Sequence, residues 1–192
     1  MAMLISGLVL FLGGHSISIF APDTRDRLAE KLGPLGWRVV YSLVALAGVV
    51  LLSKGYAAAR LDPVVLWVPP VWTRHLVAVL MLPVFVCFVA AYLPGRISTS
   101  LKHPMLVSVK LWALAHLLAN GMLADVLLFG GFLAWAVADR ISLKRRKPRE
   151  TLTLPKNPAN DFMAVAIGFA IYFAFVLKLH VLLIGVAPMS IG

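Results

Sequence analysis

Long apolar stretches dominate this 192-residue chain and limit what it can fold into. A helix needs about 20 apolar residues to cross the roughly 30 Å hydrocarbon core of a bilayer. Backbone polar groups in lipid must also be paired within their own segment, so stretches of this length are expected to be helices. The sequence therefore predicts an all-α, polytopic transmembrane helix bundle with about six spans. The six stretches are residues 2–20, 37–59, 72–94, 104–119, 122–138 and 162–187.

Composition favours a membrane protein over a soluble domain. Apolar residues make up 61% of the chain and charged residues only 14%, whereas soluble chains are about half apolar and about a quarter charged. The formal net charge of +10 does not indicate a nucleic-acid partner, because the basic residues lie in short loops between apolar stretches. We expect residues 1–192 to form a single membrane domain whose main partner is the lipid bilayer.

The sequence makes one prediction about the start of the first stretch and one about the segment that follows it. Its start lacks the basic region of a secretory signal peptide, so residues 2–20 are expected to be a first span rather than a cleaved leader. The segment after it, residues 21–36, mixes acids and bases around two helically spaced leucines. It predicts a short interfacial helix that stops at Gly33-Pro34.

Charge asymmetry between the loops predicts an orientation. Loops 21–36, 95–103 and 139–161, together with Arg38, hold 13 Lys and Arg, and the alternate loops hold few. The positive-inside rule places such loops in the cytoplasm. The basic loop 139–161 is therefore expected on the cytoplasmic side.

Local signals set the ends of the fourth stretch. Pro104 suits a helix start, because its missing N–H would be unpaired there, and His103 then takes the cap position. Asn120 is expected as the C-cap beside Gly121, and this pair is also a turn signal. Residues 104–138 are accordingly predicted to form a helical hairpin. Thr73 is a candidate cap for the helix before it.

Ionisable residues inside apolar stretches are candidate functional sites, because burying them in lipid costs several kcal/mol. His15, Lys110 and His116 lie well inside such stretches, and His116 shares a helix face with Trp112 and Asn120. The glycines before His15 let a flat ligand or another helix approach the backbone. A structural alternative stays open for each of the three, namely hydrogen bonding or ion pairing with a neighbouring helix.

Histidines in apolar surroundings suit one cofactor in particular. Haem is a flat, largely apolar disc with two axial positions for side chains such as histidine, and helix bundles hold cofactors between their helices. Arg74 or Lys110 would receive its propionates. Zinc-site spacing, HExxH, P-loop and GxSxG motifs are all absent from the sequence. The candidate cofactor-binding residues are His15, Arg74, His75, His103, Lys110 and His116.

Four segments resemble the NnrU family of bacterial membrane proteins. They are "LFLGGHSISIFAP", "GWRVVYSLVALAG", "PPVWTRHL" and "LKHPMLVSVKLWALAHLLANG", and the resemblance runs from about residue 4 to about residue 145. It implies a multi-pass protein of the bacterial inner membrane. It also implies a role in nitrite and nitric oxide metabolism during denitrification, with respiratory or denitrification membrane proteins as partners.

The NnrU family is itself similar to plant 15-cis-ζ-carotene isomerase, a membrane enzyme with haem b. This similarity implies haem b as the cofactor, with His15 and His116 as the iron ligands. The isomerase's exchangeable cysteine falls on Ala113 in this sequence. The His103-Pro104 pair also resembles isoprenylcysteine methyltransferases, whose acidic cofactor motif has only Arg149-Glu150 as a counterpart.

Three functions stay open at this level. The first is a haem b membrane protein of nitrogen-oxide metabolism, acting as a redox partner or sensor. The second is a haem-dependent cis–trans isomerase of a hydrophobic substrate. The third is a haem-free membrane assembly factor or methyltransferase-like protein. Whether the protein is an enzyme therefore stays open too.

Overall fold

The computed structural model describes residues 1–146 and 154–188, and most of them are helical. Between the helices of these ranges, β pairing is limited to one isolated bridge of Val65 with Met122. The predicted all-α class is confirmed. The helices are α1 (Ala2–Phe20), α2 (Pro22–Ala59), α3 (Thr73–Ala90), α4 (Arg96–Leu101), α5 (Pro104–Ala119), α6 (Leu123–Ser142), α7 (Ala159–Ala174) and α8 (His180–Ile184), and a π-helical turn, Phe175–Leu179, joins the last two.

Each of the six predicted stretches forms a helix. Four helices are long and apolar enough to cross a membrane, namely α1, α2, α3 and the continuous Ala159–Ile184. Helix α5 is apolar but has 16 residues, which span only about 24 Å. Helix α6 has 20 residues but carries Asp125, Asp139 and Arg140. The chain is thus a helical membrane protein, as its composition predicts.

The range Pro22–Ala59 of α2 consists of two helices that meet at a kink. The first covers the mixed-charge segment, as the sequence predicts. Gly33 interrupts the helix with φ 71° and ψ 166°, a conformation that glycine adopts without a Cβ penalty. The helix resumes at Pro34, where a missing N–H costs nothing. The predicted stop of the short helix at Gly33-Pro34 is therefore confirmed, and the span follows directly after it.

The chain divides into two compact units. The first comprises Met1–Val68 and Gly121–Pro148, and the second Pro69–Asn120 and Arg149–Gly192. In the first unit α1 packs along α2 and against α6, and in the second α3 packs against α5 and α7. Helix α5 thus packs within the second unit and helix α6 within the first. The Asn120-Gly121 turn lies at the point in the chain where one unit ends and the other begins. The single-domain prediction for residues 1–192 stays a prediction.

In the first unit, α1 and α2 approach so closely that glycine is required at their contact. A Cβ at Gly7 would lie 2.6 Å from the backbone nitrogen of Leu52, and one at Gly55 would run into the backbone of Leu4. Gly48 is equally confined. Small residues let helix backbones approach each other, and van der Waals packing then holds the pair in lipid. These glycines fix how α1 lies along α2.

The second unit is held by polar contacts as well as by close packing. The Ser108 hydroxyl of α5 donates to the Val84 carbonyl of α3 at 2.9 Å. The Tyr172 hydroxyl of α7 donates to the Ala78 carbonyl of α3 at 3.1 Å. A Cβ at Gly168 would lie 2.7 Å from the backbone of Val86, so α7 and α3 are also in close contact.

Candidate functional site

The six predicted cofactor-binding residues divide between the two units. His15 lies in the first unit, on α1. The other five lie in the second unit, on or next to α3 and α5.

His116 lies near the end of α5 with its ring oriented by the helix itself. Its Nδ1–H donates to the Trp112 carbonyl at 2.8 Å, and the Trp112 and His116 rings lie 5.3 Å apart. Asn120 is the C-cap, and its amide donates to the His116 carbonyl at 2.8 Å. The predicted polar face and the predicted cap are both confirmed. Because a carbonyl only accepts, Nδ1 carries the proton of this hydrogen bond.

His15 is oriented in the same way on α1. Its Nδ1–H donates to the Phe11 carbonyl at 2.7 Å, so Nε2 is the nitrogen left for a ligand. The ring is stacked on the Phe11 ring with centroids 4.2 Å apart. The Tyr41 ring lies at 5.1 Å and the Trp135 ring at 5.8 Å. His15 is therefore enclosed by aromatic rings from α1, α2 and α6.

Trp135 adds an unsatisfied donor beside His15. Its indole Nε1 is buried and finds no hydrogen-bond partner within residues 1–146 and 154–188. Buried polar groups almost always have a partner, so an orphaned N–H needs an explanation, and an acceptor atom of a ligand is one. No sequence pattern predicts this unsatisfied donor, because it depends on how α6 packs in the folded unit.

A cavity of about 80 Å³ lies within the second unit. Its polar lining comes from Arg74, His116, Tyr172 and His180, and its apolar lining includes Phe85 and Phe175. The phenyl rings of Phe85 and Phe175 stack with centroids 5.2 Å apart. The cavity brings together two of the predicted residues, Arg74 and His116, on α3 and α5.

The remaining predicted residues lie elsewhere in the second unit. His103 is the N-cap residue of α5 with Pro104 at the first helical position, as predicted. His75 is exposed in the first turn of α3. Lys110 is half-buried on α5, and six residues place it roughly 240° around the helix from His116. None of these three side chains lines the His116 cavity.

Two further sequence-based predictions concern Thr73 as a helix cap and the basic loop. Trp72, not Thr73, is the N-cap residue of α3, and the Thr73 hydroxyl donates to the Pro70 carbonyl at 2.7 Å. The predicted cap is thus wrong, because the hydroxyl acts as a donor within the preceding turn. The middle of the basic loop, including Arg149-Glu150, lies outside the described residues.

Two residues at these sites were not identified from the sequence. His180 lines the His116 cavity, although it stands 64 positions away along the chain. Asp125 is fully buried in the first unit at 0% exposure. Its carboxylate accepts hydrogen bonds from the Tyr56 hydroxyl at 2.5 Å and from the Met122 N–H at 2.8 Å.

Comparison with known proteins gives one match. The family model described as NnrU protein matches residues 3–188, nearly the whole chain and further than the four resembling segments reach. No curated protein and no solved structure matches the chain. Because this match covers nearly the whole chain, the chain belongs to the NnrU family of membrane proteins.

Proposed function

We propose that this NnrU-family membrane protein binds haem b through histidine side chains, with His116 as an iron ligand. The observation that carries the proposal is the state of the His116 ring. Its Nδ1–H donates to the Trp112 carbonyl, and histidines that bind metals typically make such a bond with their other ring nitrogen. The family resemblance adds His15 as a further ligand, and His15 has the same arrangement.

The chemistry of the side chains fits haem. The His116 cavity combines imidazole nitrogen, the Arg74 guanidinium and two stacked phenyl rings. These groups match an iron atom, a propionate and an aromatic macrocycle respectively. Beside His15, the orphaned Trp135 N–H offers a donor for a propionate. Bound haem would supply one-electron redox chemistry, and the protein residues would bind and orient it.

The size of the cavity sets a condition on binding. Its volume of about 80 Å³ equals that of two or three water molecules, at about 30 Å³ each. A macrocycle is accommodated only when lining side chains move apart. We therefore expect haem binding to change the environment of Phe85 and Phe175, and to raise the thermal stability of the protein because the ligand binds the folded state.

The absorption spectrum tests the proposal directly. The full chain would be purified in detergent from cells supplied with a haem precursor, and its haem content measured as the pyridine haemochrome. We expect a Soret band that shifts on reduction with dithionite, and a low-spin spectrum typical of two strong axial ligands. His116→Ala should lose the low-spin spectrum, whereas His75→Ala, in the same unit but outside the cavity, should keep it.

Two outcomes would contradict this assignment. A folded, colourless protein from haem-replete cells would remove haem altogether and favour a haem-free assembly role. A haem-loaded His116→Ala variant with an unchanged low-spin spectrum would keep haem but reject His116 as a ligand. In that case, spectra of His15→Ala and His103→Ala would show whether either of these histidines ligates the iron instead.

Ala113 favours a redox or sensory role over isomerisation. The exchangeable cysteine of the plant isomerase falls on Ala113, which is fully buried on α5 at 0% exposure. This chain therefore has no thiol at the position that the plant enzyme uses for ligand exchange. We propose that the protein acts in nitrite or nitric oxide metabolism as a redox partner or sensor. To test this role, nitric oxide would be added to the reduced protein, and its binding would be measured as a change in the absorption spectrum.

A further inference from the structure

The chain after α2 exposes apolar side chains in a segment that is not helical. Residues 61–68, called the apolar loop below, are all exposed. The largest exposed fractions are 87% for Leu61 and 82% for Val68, and Asp62 is the one charged residue of the loop. Loops that face water are normally polar, because apolar surface is unfavourable in water. The apolar loop therefore does not have the composition of a water-facing connection.

Backbone hydrogen bonds hold the apolar loop against the start of α6, within the first unit. The Gly121 carbonyl accepts the N–H groups of Leu66 at 2.8 Å and Trp67 at 3.2 Å. The Leu123 N–H donates to the Val64 carbonyl at 2.9 Å. A Cβ at Gly121 would run into the Trp67 carbonyl, so this close approach requires glycine. The loop is thus fixed in the folded unit with its apolar side chains turned outward.

The same bonds suit the loop to contact with lipid. Backbone N–H groups must be paired where water is excluded. Those of Leu66 and Trp67 are paired with Gly121, and Pro63 has no N–H to pair. Irregular backbone does not face the hydrocarbon core itself, so the depth that fits the loop is the boundary between headgroups and acyl chains. Tryptophan is enriched at that depth, and Trp67 is exposed.

The place of the loop in the chain identifies its partner. It lies between α2 and α3, which are both long and apolar enough to cross a membrane, so the loop is expected at a membrane surface. Helix α2 also exposes apolar side chains, such as Leu46 and Val50, as a helix surrounded by lipid does. We propose that the apolar loop is inserted into the interfacial layer of one leaflet and that bilayer lipid is its partner. This inference does not depend on haem binding.

Cysteine accessibility in proteoliposomes tests the inference. In a Cys87→Ala background, Val68→Cys and Asp62→Cys are a matched pair, because both residues are exposed in the same loop. The vesicles would be frozen and thawed with a charged maleimide, so that the reagent reaches both sides of the membrane. Asp62→Cys should be labelled, whereas Val68→Cys should be labelled only after the vesicles are dissolved in SDS. Equal labelling of the two variants in intact vesicles would overturn the inference.

The protein-to-lipid ratio distinguishes lipid from a second copy of the chain as the partner. Protection by lipid should persist when the ratio is lowered. Protection of Val68→Cys that disappears on dilution into excess lipid would assign the loop to a contact between copies and would reject lipid insertion.

Tryptophan fluorescence gives an independent measurement. The variant would keep Trp67 and carry phenylalanine in place of Trp37, Trp72, Trp112 and Trp135. We expect its emission to be quenched by lipids brominated near the headgroup end of the acyl chain and to be little affected by aqueous acrylamide. Strong quenching by acrylamide, with none by brominated lipid, would reject the inference.

Replacing Gly121 tests the fixed arrangement of the loop. Gly121→Ala should displace the Trp67 carbonyl and make Val68→Cys accessible to the charged maleimide. Gly130→Ala, on α6, is the matched control, because a Cβ there meets nothing within 4 Å, and it should keep the protection. Protection retained in a folded Gly121→Ala protein would contradict the fixed arrangement on which the inference rests. If Gly121→Ala does not fold, the labelling of Val68→Cys in the otherwise unchanged loop decides.

Discussion

Asp125 shows how one buried acid is stabilised in the first unit. It is the third residue of α6, and its side chain accepts the backbone N–H of Met122 at the start of that helix. The other carboxylate oxygen accepts the Tyr56 hydroxyl of α2. An unpaired charge at this depth would be strongly unfavourable. The residue therefore both caps α6 and joins it to α2.

Replacing the tyrosine hydroxyl tests the energy of this contact. Tyr56→Phe leaves one buried carboxylate oxygen without its donor, which costs about 1–3 kcal/mol. We expect a lower melting temperature in detergent. Tyr92→Phe is the matched control, because Tyr92 is 50% exposed. Equal melting temperatures for the two variants would show that the Tyr56–Asp125 bond adds no stability.

At the scale of the helices, the close approach of α1 and α2 depends on residues that lack a side chain. Gly7 of α1 and Gly48 and Gly55 of α2 lie against the backbone or Cβ atoms of the opposite helix. Apolar side chains give little driving force between helices in lipid, because lipid tails are equally apolar. Close backbone packing is then what stabilises the pair.

A methyl group at this contact should separate the helices. In Gly55→Ala the new Cβ meets the backbone of Leu4, and backbone cannot move aside as a flexible side chain can. We expect a loss of about 1–3 kcal/mol in the free energy of unfolding. Gly13→Ala is the control, since a Cβ there meets nothing within 4 Å. It should be neutral or slightly stabilising, because alanine favours helix.

Thermal unfolding of the two variants in the same detergent gives the comparison. A Gly55→Ala protein as stable as Gly13→Ala would contradict the requirement for glycine at the α1–α2 contact.

For the whole molecule, the orientation in the membrane is an expectation from charge. The basic residues after α6 include Lys144 and Arg145, which are exposed. Arg146 is instead engaged by the first unit, since it forms an ion pair with Asp139 at 2.8 Å and donates to the Ser18 carbonyl at 3.0 Å. We expect this end of α6 to face the cytoplasm.

Cysteine labelling tests the orientation. In a Cys87→Ala background, Arg145→Cys should react with an impermeant maleimide only after the cells are permeabilised. Asp62→Cys, exposed in the loop after α2, should react in intact cells. Labelling of Arg145→Cys in intact cells would show that the orientation is the reverse of the predicted one.

The sequence by itself determined the class of the protein and several local features. The apolar stretches are long enough to require helices in lipid, so all six predicted stretches are helical. His103 and Asn120 could be recognised as caps because capping depends only on residues close in sequence. The break at Gly33 follows from the same local rules. The family was recognisable because its motifs lie within continuous segments.

Only the tertiary structure decided which side chains meet. Helices α5 and α6 follow one another in sequence but take α3 and α1 as packing partners, and no local signal specifies that choice. His180 shares a cavity with His116, although 64 residues separate them along the chain. Asp125 is buried because α2 supplies Tyr56. Contacts between helices depend on their rotation and packing, which spacing along one helix does not fix.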